Sequence, residues 1–307
     1  MLKKMFDIIG DIHGHADKLE DLLVKLEYKK INGLYSHANR KVLFVGDYID
    51  RGPKIKETLK IVKTMVDHGS AIALMGNHEY NALCFYYKSK NGVHLREHTI
   101  KNILQHKETI DQFKNNQEEY NMYINWFKTL PLFYESESIR AVHACWDYKS
   151  IKYLKKILIH NRLTEDLLHA SSVKGSLLND AIEIILKGKE MEMPNGLSFI
   201  DKDGTIRTAV RVKWWENPLK KTFKSISIID MPSLPEKVIK ASEIPSSDFY
   251  QPLDKNVFFG HYWLKGEPKL FKKNICCLDY SVAKGGSLVA YRYNNELNLD
   301  ENNFVFF

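Results

Sequence analysis

The stretch Phe6-Asp7-Ile8-Ile9-Gly10-Asp11-Ile12-His13-Gly14 decides how the chain is read. A short run rich in β-branched and apolar residues that stops at a glycine reads as a buried strand. Asp11 and His13 follow it, two residues apart. In extended chain such residues point the same way, so both side chains can reach one ion. Gly10 and Gly14 permit sharp turns beside a ligand. The same pattern recurs four times: Val42–Val45 stops before Asp47, Ala71–Met75 before Asn77, Ile139–Val142 before His143, and Val257–Phe259 before His261. In open α/β sheets, ligands sit at the carboxyl ends of strands. The runs can therefore bring three histidines, two aspartates and an asparagine to one sheet edge, a set large enough for two metal ions sharing a carboxylate.

Between these runs the pattern turns helical. Asp17–Leu26 places Leu19, Leu22, Leu23 and Leu26 on one face. Pro53 stands where a first helical turn tolerates it. Leu59, Val62, Met65 and Val66 mark a second helix ending near His68-Gly69. The β-α-β-α-β order implies parallel neighbours with right-handed crossovers. Residues 81–130 read as a polar, helical surface insertion, a candidate lid, closed by Leu130-Pro131-Leu132 before a strand at Phe133-Tyr134. A second insertion covers 146–200, with a helix start at Thr164-Glu165-Asp166 and a helical piece over Asp180–Leu186. The remainder reads as β-rich. A hairpin turning at Asp203-Gly204 joins Leu197–Ile200 to Ile206–Val210. Strands are expected at Phe223–Ile229, Val257–Phe259, Ile275–Leu278 and Leu288–Tyr293, with Gly285-Gly286 turning the last pair. One α/β domain over 1–307 carrying two insertions accounts for this order better than two domains.

Composition narrows the class. With 307 residues, 44% of them hydrophobic and 27% charged, the chain can bury a sizeable core. No run of about 18 apolar residues occurs, so no membrane span is expected. Met1-Leu2-Lys3-Lys4-Met5 leads straight into the first strand, and no signal peptide is expected. Four cysteines without a CxxC spacing fit buried thiols in a reducing compartment, the cytoplasm. The net charge is +7 from scattered lysines. This reads first as a solvated, lysine-rich surface, and such a basic surface also attracts phosphorylated substrates. It lacks the dense basic stripe with interleaved aromatics that marks nucleic-acid binding.

Two further motifs sharpen the reading: Gly46-Asp47-Tyr48-Ile49-Asp50-Arg51-Gly52-Pro53 and Gly76-Asn77-His78-Glu79. With Gly10–Gly14 they give GDxHG, GDxxDRG and GNHE in order, and Val142-His143-Ala144 and Gly260-His261 complete the set. In these motifs the chain resembles the calcineurin-like metallophosphoesterases, in particular the phosphoprotein phosphatase branch that includes bacterial diadenosine tetraphosphatases. The framework of the resemblance spans residues 6–293. It implies an αββα sandwich of two mixed sheets flanked by helices. It also implies that Asp11, His13 and Asp47 bind one metal, and that Asp47, Asn77, His143 and His261 bind the second, with Asp47 bridging. The mixed oxygen and nitrogen ligands suit Mn2+ first, with Fe or Zn2+ as alternatives. In such a site metal-bound hydroxide attacks phosphorus directly. His78 is the expected proton donor, with Asp50 holding its ring. Arg51 is expected to grip phosphate oxygens together with Asn77. Glu79 is expected to support the site by hydrogen bonding rather than to bind metal. Arg211 is the candidate for a second phosphate-binding arginine, with Arg207 its rival.

The chain also departs from the pattern. Cys145-Trp146-Asp147 follows Ala144 where the family usually carries glycine, beside the ligand His143. Other chemistries lack their signatures. No cysteine is followed six residues later by arginine, and neither GK[ST] nor HExxH occurs. The expected activity is hydrolysis of phosphate monoesters, as in a serine/threonine protein phosphatase. The alternative is a dinucleoside tetraphosphate or polyphosphate hydrolase, and a non-catalytic scaffold is the third reading. The partner is a phosphorylated substrate, whether phosphoprotein, nucleotide or small phosphoester.

Overall fold

The computed structural model describes residues 5–193, 197–200, 206–228, 234, 236–241, 244 and 249–307. Ten strands build two mixed sheets: β1 (Met5–Ile9), β2 (Arg40–Phe44), β3 (Ala71–Ala73), β4 (Phe133–Glu135), β5 (Ile139–Val142), β6 (Asn256–Phe259), β7 (Ile275–Cys277), β8 (Asp279–Tyr280), β9 (Ser287–Tyr293) and β10 (Phe304–Phe306). The first sheet runs β8-β9-β1-β2-β3, with β10 on β9. In it β1, β2 and β3 are parallel, while β9 is antiparallel to β1, with Ile9 opposite both Phe44 and Ala290. The second sheet runs β7-β6-β5-β4, with β5, β6 and β7 parallel and β4 antiparallel.

Strand side chains alternate between faces. Phe6, Ile8, Leu43, Val45, Ile139, Ala141, Phe258, Cys276, Val289 and Tyr291 fill the layer between the sheets. Ile9, Val42, Phe44, Val142, Val257, Phe259, Ile275 and Cys277 point outward into a larger cluster shared with helices. Helices α1 (Ala16–Lys25) and α2 (Ile55–Asp67) bury Leu19, Leu22, Leu23, Leu59, Val62 and Met65 there. Each such side chain contributes about 1.5–3 kcal/mol when fully buried. The architecture is the expected sandwich.

Several expectations need correction. Pro53 precedes the Lys54 cap of α2 and lies outside the helix. Residues 81–130 are helical, but not a polar surface appendage. After α3 (Asn77–Tyr86), α4 (Ile100–Phe113) and α5 (Gln117–Phe127) bury Phe113, Tyr123, Ile124, Trp126 and Phe127 in the main core. In the second insertion, α6 (Tyr148–Ile157), α7 (Glu165–Ser171) and α8 (Leu177–Lys187) follow, and Thr164 Oγ1 caps α7 as expected. The strand expected from Phe223 is instead the short helix α9 (Phe223–Ile226). The Thr222 hydroxyl accepts the Ser225 N–H, and that cap outweighs the apolar run. Phe199–Ile200 pairs with Ile206–Arg207 as a hairpin, while the Asp203-Gly204 turn lies outside the described residues. Ala209–Arg211 leaves that hairpin and pairs with Glu190–Glu192. The pair turned near Gly285-Gly286 is β8 with β9, because the chain switches sheets between Cys277 and Asp279. Both tryptophans of Trp214-Trp215 are buried in the core.

Candidate metal centre and active site

Parallel strands point their carboxyl ends the same way, and the two sheets bring six of those ends together. From β1 come Asp11 and His13, from β2 Asp47, Asp50 and Arg51, and from β3 Asn77, His78 and Glu79. From β5 comes His143, and from β6 His261. The sixth, β7, leads to Asp279, which the sequence reading passed over although Ile275–Leu278 ends in a carboxylate by the same rule. Backbone strain concentrates here. His13, Asp47, Asp50, Arg51, His261 and Trp263 all have positive φ, from 46° to 75°. Non-glycine residues enter that region at a cost, and clusters of them mark functional sites. Gly260 is forced by close approach, since a Cβ there would lie 1.9 Å from Asp11 Oδ1.

Asp47 is the point of convergence. Its Oδ1 accepts the His78 N–H (3.0 Å) at the start of α3, where the helix dipole favours a carboxylate. Its Oδ2 then faces three imidazole Nε2 atoms: His143 at 3.4 Å, His13 at 3.6 Å and His78 at 3.9 Å. Glu79 fixes this loop. Its carboxylate accepts N–H bonds from Gly76, Asp47 and Tyr48 at 2.8–3.0 Å. That is the supporting role expected of it. The Asn77 Oδ1 lies 2.7 Å from His261 Nδ1 and 3.0 Å from His143 Nε2.

The histidines are oriented as metal ligands are. His13 Nδ1 lies 2.9 Å from the Ile49 carbonyl, and His143 Nδ1 lies 2.9 Å from the Val45 carbonyl. A backbone acceptor on one ring nitrogen leaves the other as a lone pair facing the site. Buried Asp11 Oδ1, His13 Nε2 and His261 Nε2 have no hydrogen-bond partner. Orphaned buried polar atoms are rare, and a cation would complete these. Two triads, His13–Asp47–His78 and Asp47–His143–His261, each present ligand atoms within 4.8 Å of one another. The residues therefore fit two divalent cations around Asp47. His78 Nε2 lies near the first group without being needed to complete it, and Asp11 binds the His261 N–H through Oδ2 (3.0 Å).

The electrostatics agree. Burial, then Asp279 and Asp47, push the Asp11 carboxyl well above its usual range. Burial lowers His13 to about 3, with His78 adding to the effect. Burial acts against His143 as well, but Asp47 beside it outweighs that and holds it near 10. His143 must give up that proton to bind a cation. Burial also opposes charge on His78, yet Asp47 and Asp50 raise it above the usual histidine value.

His78 Nδ1 donates to Asp50 Oδ2 at 2.5 Å, the pairing expected. The opposite oxygen of Asp50 accepts from Thr109 Oγ1 (2.5 Å) and from His106 Nδ1 (2.7 Å). Thr109 Oγ1 also accepts the Asp50 N–H (3.0 Å), and His106 Nε2 meets the Tyr120 hydroxyl (3.0 Å). Both residues come from α4, inside the segment read as a polar insertion. Their signal was faint: His106 and Thr109 are one helical turn apart on the face that also carries Phe113. Arg51 is exposed at the mouth, its guanidinium 4.0 Å from the Trp263 ring centroid. The Arg211 charge acts on both His261 and Tyr262, and its Nε lies 3.4 Å from Glu190 Oε1. Arg207 is exposed and pairs opposite Phe199. The departing stretch after Ala144 is structural. Trp146 is core, and Asp147 caps α6 and pairs with Lys189 at 2.8 Å.

Comparison with known proteins gives the family. The calcineurin-like phosphoesterase family model matches residues 5–262. The chain belongs to that family. This phosphoesterase is accordingly a metal-dependent phosphoric ester hydrolase. It is 29% identical over 303 residues, 94% of each chain, to the symmetrical bis(5'-nucleosyl)-tetraphosphatase of Buchnera aphidicola subsp. Baizongia pistaciae. It is 32% identical over 139 residues to the asymmetrical bis(5'-nucleosyl)-tetraphosphatase PrpE of Oceanobacillus iheyensis, a match covering 45% of this chain and 54% of that one. Among solved structures, a cold-active protein tyrosine phosphatase aligns over 95% of this chain and 77% of its own, with TM-score 0.51 and 18% identity. A Saccharomyces cerevisiae protein serine/threonine phosphatase aligns over 99% and 79%, with TM-score 0.50 and 14% identity. These structures share the fold.

Proposed function

We propose that this phosphoesterase hydrolyses dinucleoside polyphosphates of the bis(5'-nucleosyl)-tetraphosphate type, within one domain over 1–307. The observation that carries this over the phosphomonoester reading is the relative matched over 94% of both chains, which is named for that substrate. The serine/threonine phosphatase reading rests on distant structural likeness alone.

Asp11, His13, Asp47, Asn77, His143 and His261 would hold two cations, with Mn2+ the first choice for a mixed oxygen and nitrogen set. Such a pair supplies Lewis acidity and an acidified water. The chain supplies the rest. Asp47 draws the two ligand groups together. Arg51 presents a fork of donors to non-bridging phosphate oxygens, and Arg211 is the second such group beside His261. His78, charged and oriented by Asp50, donates a proton from Nε2 to a leaving alkoxide. A phosphate leaving group is more stable and demands less of that proton. All four cysteines are free and buried, which supports a reducing, cytoplasmic setting.

The test offers the Mn2+-loaded protein diadenosine tetraphosphate, a phosphoserine peptide, polyphosphate and an aryl phosphate, with product identification. Preferred cleavage of the tetraphosphate is expected. Two diphosphates or a mono- and triphosphate pair then fixes the position of attack. A higher kcat/KM for the phosphopeptide overturns the proposal.

A further inference from the structure

The loop after His261 is held in a conformation that metal ligation does not explain. Trp263 has φ 55° and donates its N–H to Asp279 Oδ2 at 2.7 Å. The Leu264 N–H donates to the Asp279 carbonyl (3.0 Å), and Ser281 ties back through its N–H to Asp279 Oδ1 (2.9 Å) and its hydroxyl to the Leu264 carbonyl (2.9 Å). Lys18 Nζ donates to the Gly286 carbonyl at 2.9 Å, fastening the far end of this second loop to α1. Two loops are thus locked across one buried carboxylate, and the half-buried Trp263 indole is their product.

Two cations lie on that indole. Arg51 Cζ is 4.0 Å from the ring centroid and Lys284 Nζ 4.5 Å. The same ring lies 5.8 Å from His13, which places it beside the metal centre. Arg51 and Lys284 are both exposed, and among the described residues neither forms an ion pair with a carboxylate. Other exposed lysines, such as Lys54, Lys63 and Lys107, do. Cation–π contact offsets part of the repulsion between the two charges. An anion with charges spread over several phosphates would offset the rest, and a single phosphate at the metals is already served by Arg51.

We propose that Lys284, positioned on Trp263, is a specificity determinant that binds the phosphates of the leaving group beyond the one attacked. This rests on the dinucleoside polyphosphate reading and adds the residues that select such a substrate. In the hydrolysis, the water oxygen bonds to one phosphorus and its proton passes to solvent. The bond to the bridging oxygen breaks, and the electron pair stays on the departing phosphate chain. Lys284 stabilises that growing charge.

The experiment compares wild type with Lys284→Ala, Lys284→Arg and Trp263→Leu, using Lys63→Ala as a charge control away from the site. It measures kcat/KM for diadenosine tetraphosphate and for an aryl phosphate. It also measures inhibition of aryl phosphate hydrolysis by tripolyphosphate and by orthophosphate. In Lys284→Ala the tetraphosphate-to-aryl ratio falls about tenfold, the scale of one charge-assisted contact. The tripolyphosphate inhibition constant rises by a similar factor relative to that of orthophosphate. Lys284→Arg recovers most of both, and Lys63→Ala moves neither. Trp263→Leu moves both in the same direction as Lys284→Ala. Unchanged tripolyphosphate inhibition in Lys284→Ala overturns the subsite, whatever the substrate. If wild type cleaves no dinucleoside polyphosphate but Lys284→Ala still loses tripolyphosphate selectivity, the substrate reading fails and the subsite stands.

Discussion

Strand β1 and the turn that follows it carry two buried aspartates four residues apart, and the protein treats them differently. Asp7 is neutralised from within, although its Oδ1, like that of Asp11, has no hydrogen-bond partner. Its Oδ2 accepts from Tyr28 (3.0 Å) and from Arg40 Nε (2.9 Å), and Arg292 lies 3.8 Å from the other oxygen. Arg40 spends its remaining donors on Asn294 and on the Phe6 and Tyr293 carbonyls. Asp11 accepts the His261 N–H through Oδ2, its Oδ1 has no hydrogen-bond partner, and the charges that act on it most are Asp279, His143 and Asp47. Among the described residues no lysine or arginine forms an ion pair with Asp11, Asp47 or Asp279. Arginine closes the amino end of the strand, and the carboxyl end is left for divalent cations. Burial is therefore no guide to role. What distinguishes the carboxylates that face the metal centre is that no arginine or lysine is paired with them among the described residues.

Two substitutions test that contrast directly. Asp47→Asn should be the most damaging. Loss of a supporting partner costs metal affinity about 10–100-fold, and Asp47 faces both ligand groups, so turnover at limiting Mn2+ should fall by about 10^3-fold or more. Metal content per chain should drop with it, while the melting temperature without metal changes little. Near-normal turnover at limiting Mn2+ would sink the bridging role. At the other end, Arg40→Ala should leave Asp7 buried without its main partner and cost about 3–5 kcal/mol of stability. Urea unfolding reads that loss. Metal stoichiometry of the folded fraction should stay that of wild type, and a loss of metal there would show that the two ends are not independent.

The carboxyl end was legible in the sequence because strand and ligand are adjacent in it. A run such as Val42–Val45 names its own continuation, Asp47, and period-2 burial fixes which side chains face the other sheet. What sequence could not supply was contact between distant segments. Asp50 is read as a partner of His78 because both lie in recognisable motifs. Thr109 and His106 lie 59 and 56 residues further on, in a helix whose outward face is polar. The polar face dominates the sequence pattern of that segment, and its buried face is carried by a few residues spaced a helical turn apart. Phe223 was lost for the opposite reason, since a local cap at Thr222 overrode an apolar run. The Asp7 cluster was invisible because arginine and aspartate carry no strand-end signature.

His78→Asn should have a smaller effect that depends on the substrate. General acid catalysis is worth about 10^2–10^4-fold, so hydrolysis of a phosphoserine peptide should fall by about that factor. An aryl phosphate, whose leaving group needs no proton, should lose far less. The sign of the pH dependence follows from the raised His78 pKa. The acid form persists at neutral pH and is lost as pH rises above the usual histidine range. The wild-type rate on the peptide should therefore decline on the alkaline side, and the variant should lose that limb. Equal losses on both substrates would argue against proton donation.

Thr109→Ala is the finest cut. Its hydroxyl donates to Asp50 Oδ1 and accepts the Asp50 N–H, so it fixes both the carboxylate and the backbone beneath it. Asp50 itself has φ 66°. Without Thr109, Asp50 keeps His106 and His78 but is freer to rotate. Turnover of the phosphoserine peptide should fall about tenfold, the lower end of what a supporting contact to a functional residue is worth. The decisive readout is the pattern of loss. If Thr109 positions the proton donor, the variant should repeat in miniature the leaving-group dependence of His78→Asn, and Thr109→Ser should restore it. A helix that merely packs against the core would instead lower stability and slow both substrates alike, with no rescue by serine.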